Sequence, residues 1–197
     1  MLTTTLAQRL RLDTADDHLR AESALGLPAS LLSRTDYARL VDRLISFHLA
    51  VEAILAEPRW RDDWVGAGIV LSDHVRSPLL EDDLRSLDSS SPAVRETVRL
   101  AGFASFGEVL GLLYVIEGSS LGGRVLGPLI RARLGDVPTR FYDGDGRDHP
   151  RPWRSLQAAL TGFDDRGGDQ REVVGGARLA FDLFGSRLDS TLWSSLR

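Results

Sequence analysis

His18 and Glu22 stand four residues apart in the segment Leu10-Arg-Leu-Asp-Thr-Ala-Asp-Asp-His-Leu-Arg-Ala-Glu22. On a helix, residues at i and i+4 share a face. A carboxylate placed there accepts a hydrogen bond from one imidazole nitrogen and leaves the other free to bind a metal. Arg11 and Thr14 fall on the same face. Arg11 lies two turns before His18, about 10 Å along the axis at 1.5 Å per residue. A fixed positive charge at that separation suits an acidic group at the rim of a flat, metal-centred ligand. The same pattern also suits a salt-bridged surface histidine, because helical pairs of this kind are common.

A second constellation is Phe106-Gly-Glu-Val-Leu-Gly-Leu-Leu-Tyr-Val-Ile-Glu-Gly-Ser-Ser-Leu-Gly-Gly-Arg-Val-Leu-Gly-Pro-Leu-Ile130. It reads as one long helix, yet Gly111, Gly118, Gly122, Gly123 and Gly127 lie inside it. Five interior glycines weaken a helix by roughly 4–5 kcal/mol relative to alanine. The usual reason to keep them is close approach of the backbone to another object, either a neighbouring helix or a flat ligand. Gly118 and Gly122 form one i, i+4 pair, and Ser119 and Gly123 a second beside it. That face has almost no side chains, so a planar ligand could rest directly on backbone; small-residue helix packing accounts for the segment equally well.

A third segment is Gly175-Gly-Ala-Arg-Leu-Ala-Phe-Asp-Leu-Phe184. Arg178 suits either an anionic ligand or a solvated surface. Phe181 and Phe184 read as core rather than ligand wall. Of the other histidines, His48 sits near an apolar stripe and reads as a partly buried core residue. His74 and His149 fall in loop-like sequence and read as surface. No Glu-x-x-His pair or P-loop occurs, which argues against a di-iron bundle and a nucleotide phosphatase.

Helices must position these residues, and the periodicity is helical nearly throughout. Thr3 to Ala21 reads as one helix with Leu6, Leu10, Thr14 and His18 in a row. Ser33 or Thr35 can cap a second over Asp36 to Ala56. Further helices are expected over Leu80 to Leu87 and from Pro92, capped by Ser91. A turn or bend is expected over Ala101 to Ser105. The glycine-bearing helix should end near Gly135. A loop is expected over Phe141 to Pro152, then helices over Trp153 to Leu160 and Glu172 to Leu192. No segment reads as a strand, a linker or a repeat. The expectation is one all-α domain over residues 1–197, its helices packed around a central site.

Composition agrees. The 197 residues are 43% hydrophobic and 26% charged, with net charge −4 and acids and bases interspersed. That balance gives no sign of nucleic acid. The absence of cysteine excludes cysteine-bound zinc, iron–sulfur clusters and thiol catalysis, and fits a cytoplasmic protein. The longest apolar run, Val109 to Ile116, is far shorter than the ~20 residues of a membrane span, so no membrane partner is expected.

Together, the three segments resemble the haem (heme) oxygenases, the bacterial branch above all. Leu10 to Glu22 looks like the family's proximal helix. Tyr114-Val-Ile-Glu-Gly-Ser-Ser-Leu-Gly-Gly123 looks like its distal helix. Ala177-Arg-Leu-Ala-Phe181 is similar to its C-terminal propionate-side segment. The resemblance implies a single-domain helical fold with haem sandwiched between a proximal and a distal helix. It makes His18 the iron ligand and Glu22 its hydrogen-bond partner. It makes Gly118 and Gly122 the distal glycines that approach the haem, and Arg11, Tyr114 and Arg178 the residues that hold its propionates. Ser119 would face the distal pocket and order water.

The implied reaction converts haem to biliverdin, ferrous iron and carbon monoxide. It uses O2 and electrons from a separate donor, a ferredoxin or a reductase. The aspartate of the mammalian distal helix is replaced here by Ser119 and Ser120, with Glu117 about 100° around the helix. The Glu-Gly-Ser-Ser-Leu-Gly-Gly wording also looks like the oxygenases that supply biliverdin to bacterial phytochromes; iron acquisition from haem is the other role within the family. A haem-storage protein without turnover would use the same pocket. A thiamin-degrading hydrolase of similar fold would need a cysteine nucleophile, which this chain lacks.

Overall fold

A computed structural model of the chain describes residues 4–87, 100–144 and 150–191. The helix expected from Pro92 and the side chain of His149 lie outside the described residues. The order of elements is α1 (Leu6–Asp13), α2 (Ala15–Leu25), α3 (Arg34–Leu55), α4 (Arg61–Ala67), α5 (Ser77–Ser86), α6 (Phe106–Leu134), α7 (Arg140–Asp143), α8 (Pro150–Asp165) and α9 (Gln170–Arg187). Short 3-10 turns lie at Pro58–Trp60 and Leu71–His74, and no strand occurs among the described residues. The all-α class is as the periodicity requires.

The helix starts follow local chemistry. Thr5 opens α1 with a capping box: its hydroxyl accepts the Gln8 N–H, and the Gln8 side chain accepts the Thr5 N–H. Ser33, rather than Thr35, caps α3 by accepting the Asp36 N–H at 3.1 Å. Ser105 and Glu108 form a second capping box at the start of α6, which ends at Gly135. The bend expected before α6 is present over residues 100–105.

Two expectations need correction. Residues 3–21 do not form one helix. Thr14 leaves helical geometry (φ −116°, ψ 12°), and its hydroxyl donates to the Leu10 carbonyl at 2.7 Å. This back-bond competes with the helical ladder, and Asp16 and Asp17 then favour a fresh helix start at Ala15. The segment after Phe141 is not wholly loop either. Asp83 of α5 accepts the Arg140 and Phe141 N–H groups at 2.9 and 3.0 Å, which anchors the short helix α7.

Helix α6 runs through the core. Leu110, Leu112, Leu113 and Val115 pack with Val173 and Ala177 of α9 and Leu156 and Leu160 of α8. A neighbouring cluster joins Tyr37, Leu40 and Val41 of α3 to Leu80, Ile130 and Val137. By length and composition α6 could cross a membrane, but half of its apolar window is buried inside the protein. It is a core helix.

Five of the six glycines of α6, those beyond its first turn, divide into two groups. A Cβ on Gly111 would overlap the Val173 carbonyl oxygen and lie 2.6 Å from the Ala177 nitrogen. The partner position, Gly176 of α9, would place a Cβ on the Glu108 carbonyl. The two helices therefore cross backbone against backbone. Gly123 and Gly127 receive α7: their Cβ atoms would meet the Tyr142 Cα at 3.5 Å and the Asp143 Oδ1 at 2.6 Å. At Gly118 and Gly122 a Cβ would meet nothing within 4 Å. The helix-packing reading thus holds for Gly111, Gly123 and Gly127, whereas Gly118 and Gly122 face open space.

Gly111→Ala and Gly176→Ala should each destabilise the fold by about 1–3 kcal/mol through overpacking. Gly118→Ala should leave stability unchanged or raise it by up to about 1 kcal/mol. Urea unfolding followed by circular dichroism checks this ordering, and an equal loss at all three positions would contradict the division.

Candidate active site

Helix α9 packs against both α2 and α6, while α2 and α6 barely touch one another. The gap between them is a cavity of about 930 Å³, near the upper end of the ~300–1,000 Å³ usual for small-molecule sites. From α1 and α2 it is lined by Arg11, His18, Leu19 and Glu22, with Thr14 at their junction. From α6 come Tyr114, Val115, Gly118, Ser119, Gly122, Val125 and Leu126, and from α9 Phe181 and Phe184.

His18 presents its ring to this space, its side chain 53% exposed. Nδ1 lies 3.6 Å from Glu22 Oε2, which is longer than a formed hydrogen bond. The Phe181 ring meets the imidazole edge-on at 5.6 Å between centroids. Nδ1 is thus the ring nitrogen turned towards Glu22. Tyr114 is partly buried and stacks obliquely near Trp153, 5.8 Å between ring centroids. Burial raises its pKa, and the Arg11 charge opposes the rise. Ser119 donates its hydroxyl to the Ile116 carbonyl at 2.8 Å, as Ser120 does at 3.1 Å.

Sequence reasoning thus assembles Arg11, His18, Glu22, Tyr114, Gly118, Ser119 and Gly122 on one cavity. Arg178 is elsewhere. It donates to the Asp13 carbonyl at 3.0 Å, and its Nε lies 3.6 Å from Asp17 Oδ2. It bridges the end of α1 to the start of α2. Phe181 and Phe184, read as core alone, are also cavity wall. Core and wall are the same face of α9, because the cavity opens inside the apolar packing. Gly123, read as part of the bare face, is turned to Tyr142 instead.

Two further histidines lie outside the cavity lining. His48 is buried more completely than the partly buried core residue that the apolar stripe suggested; burial, and then the Arg76 charge, lower its pKa to about 3. His74, read as surface, is buried as well. Its Nδ1 lies 2.9 Å from Glu117 Oε1. Only the acid 43 residues on reveals this, and no local pattern carries it.

An exposed imidazole on one helix, a side-chain-free stretch of backbone on another, and the apolar side chains of α9 share one cavity. The heme oxygenase family profile matches residues 4–189. The chain belongs to that family, and is an enzyme that degrades haem. Among relatives, the heme oxygenase PigA of Pseudomonas aeruginosa is 29% identical over 187 residues, 94% of this chain and 92% of that protein. A heme oxygenase of Xanthomonas campestris is 33% identical over 110 residues, 55% of this chain and 64% of that one. The fold is similar to heme oxygenase from Neisseria meningitidis, with TM-score 0.73 and 22% identity, covering 99% of this chain and 94% of that one. It is also similar to heme oxygenase-1 of the cyanobacterium Synechocystis in complex with heme, with TM-score 0.66 and 21% identity, covering 95% and 92%.

The residues present fit haem: one cavity of about 930 Å³ holds His18 and the open space beside Gly118 and Gly122. Gly118→Leu should fill that space. It should abolish the Soret band that haemin gives with the wild-type protein while leaving the circular dichroism spectrum intact. Unaltered haemin binding would contradict the close-approach reading.

Proposed function

We propose that the protein cleaves haem to biliverdin, ferrous iron and carbon monoxide, using O2 and electrons from a separate ferredoxin or reductase. The observation that carries this reading is the shared cavity of His18, Gly118 and Gly122. When bound, haem supplies both the macrocycle to be opened and the iron at which O2 is activated.

Each residue then has a physical task. His18 would ligate the iron through Nε2, and Glu22 would hold the ring from Nδ1 and raise its basicity. Haem iron is commonly held by a neutral imidazole, and His18 would supply it from α2. Gly118 and Gly122 leave the α6 wall of the cavity free of side chains. The Ser119 hydroxyl proton is committed to the Ile116 carbonyl, so its oxygen would accept from water and order it within the cavity. Arg11 and Tyr114 would hold the propionates. Arg178 would join them by exchanging Asp17 for a propionate carboxylate, a charge-assisted pair of the same kind. The Phe181 and Phe184 rings, apolar cavity wall, would limit water around the ligand.

In the cell, the product would serve as the chromophore of a bacterial phytochrome. The Glu117-Gly-Ser-Ser-Leu-Gly-Gly123 wording supports that role. The chain without cysteine suits a cytoplasmic setting.

Purified protein given haemin, a reductant and air should lose its Soret band and yield biliverdin, the α isomer being expected on chromatography. His18→Ala should bind haemin weakly and form no product. A wild-type haem spectrum that persists in air with reductant would mean binding without cleavage.

A further inference from the structure

One residue before Gly118, the carboxylate of Glu117 is buried and stands outside the cavity lining. His74 Nδ1 approaches its Oε1 at 2.9 Å, and Arg76 donates to its Oε2 at 3.3 Å. His74 and Arg76 are themselves 1% and 3% exposed. A second carboxylate completes the arrangement. Glu52 of α3 accepts the Arg76 and Ser77 N–H groups at 2.8 and 2.9 Å and the Ser77 hydroxyl at 2.6 Å. Residues 74–77 are therefore clamped to α3 on one side and to α6 on the other.

Buried ion pairs are seldom retained for stability, since apolar replacements of similar volume often serve as well. What they add is direction. The apolar neighbours on α6, such as Leu113, Val115 and Ile116, hold the helix by burial, which is non-directional. Gly118 and Gly122 contribute no side chain that could resist a small rotation of the helix. The two-point grip on Glu117 does resist it, and it acts at the residue next to the bare wall. His74 Nε2 and Arg76 Nε have no protein partner and are buried, so the cluster is more polar than the packing of the chain alone requires.

We infer that His74, Arg76 and Glu117 form a positioning cluster that fixes the rotation of α6 at Gly118 and Gly122, and through it the seating of haem and the choice of carbon that is cut. The inference rests on the haem-cleaving function proposed above. The three residues act through the α6 backbone and need not touch the ligand.

The test compares Glu117→Gln and the double variant Arg76→Met/Glu117→Met with wild type and with Asp73→Asn. The double variant removes both buried charges together, so it keeps the question open to measurement if the single charge loss unfolds the protein. Asp73→Asn breaks the outer ion pair of the same segment, in which Asp73 lies 3.3 Å from Arg151. Thermal unfolding, the haemin spectrum and the isomer composition of the product are read for each. The folded cluster variants should show a displaced Soret band, a mixed isomer pattern and turnover reduced by about tenfold to a hundredfold. Asp73→Asn should match wild type in all three. Folded cluster variants with the wild-type spectrum and isomer would overturn the inference, as would an equal change in Asp73→Asn. A wild-type protein that gave no haemin spectrum would instead overturn the functional reading, and this inference with it.

Discussion

Helices α6 and α9 cross with backbone against backbone at Gly111 and Gly176, and the site depends on that crossing. A side chain at either position would push the helices apart. The close crossing lets Leu110, Leu112 and Leu113 of α6 interlock with Val173 and Ala177 of α9. Helix α9 also carries α2, so it fixes how far the His18 helix stands from the glycine helix. The cavity exists because those two helices are each tied to α9 and not to one another.

On this frame, one helix does two incompatible things at successive turns. Around Gly111 it gives up side chains to gain contact. Around Gly118 and Gly122 it gives up side chains and gains none, since a Cβ there would meet only open space. Each of those two positions weakens the helix by about 1 kcal/mol, and a bound ligand that favours the folded state offsets the loss. Further along, Gly123 and Gly127 return to packing, against Tyr142 and Asp143. The bare wall is thus pinned on both sides by close contact, with the buried Glu117 grip between.

Much of this was legible in the sequence. The apolar stripe of α3, the extent of α6 and the histidine–glutamate pair of α2 are local patterns with a helical period, and local patterns survive folding when the core agrees with them. Seven expected site residues share one cavity for that reason. The failures are equally physical. The break at Thr14 turns on one hydroxyl choosing the Leu10 carbonyl. Helix α4 escapes because it spans only seven residues between two short 3-10 turns, too few to show a helical period. His74 and Arg178 take partners 43 and 165 residues away in sequence. The dual role of Phe181 follows from where the cavity opens. Partners distant in the chain leave no periodic trace, and they decide where a charged side chain points.

The central claim is that Gly118 and Gly122 are bare for a ligand, whereas Gly111 is bare for a helix. Hydrogen exchange of the backbone amides, measured with and without haemin, separates these directly. Exchange at residues 118–123 should be fast in the free protein and slow markedly when haemin binds, while residues 110–113 stay protected in both. Equal protection of the two segments without haemin, or no slowing at residues 118–123 on its addition, would contradict the account.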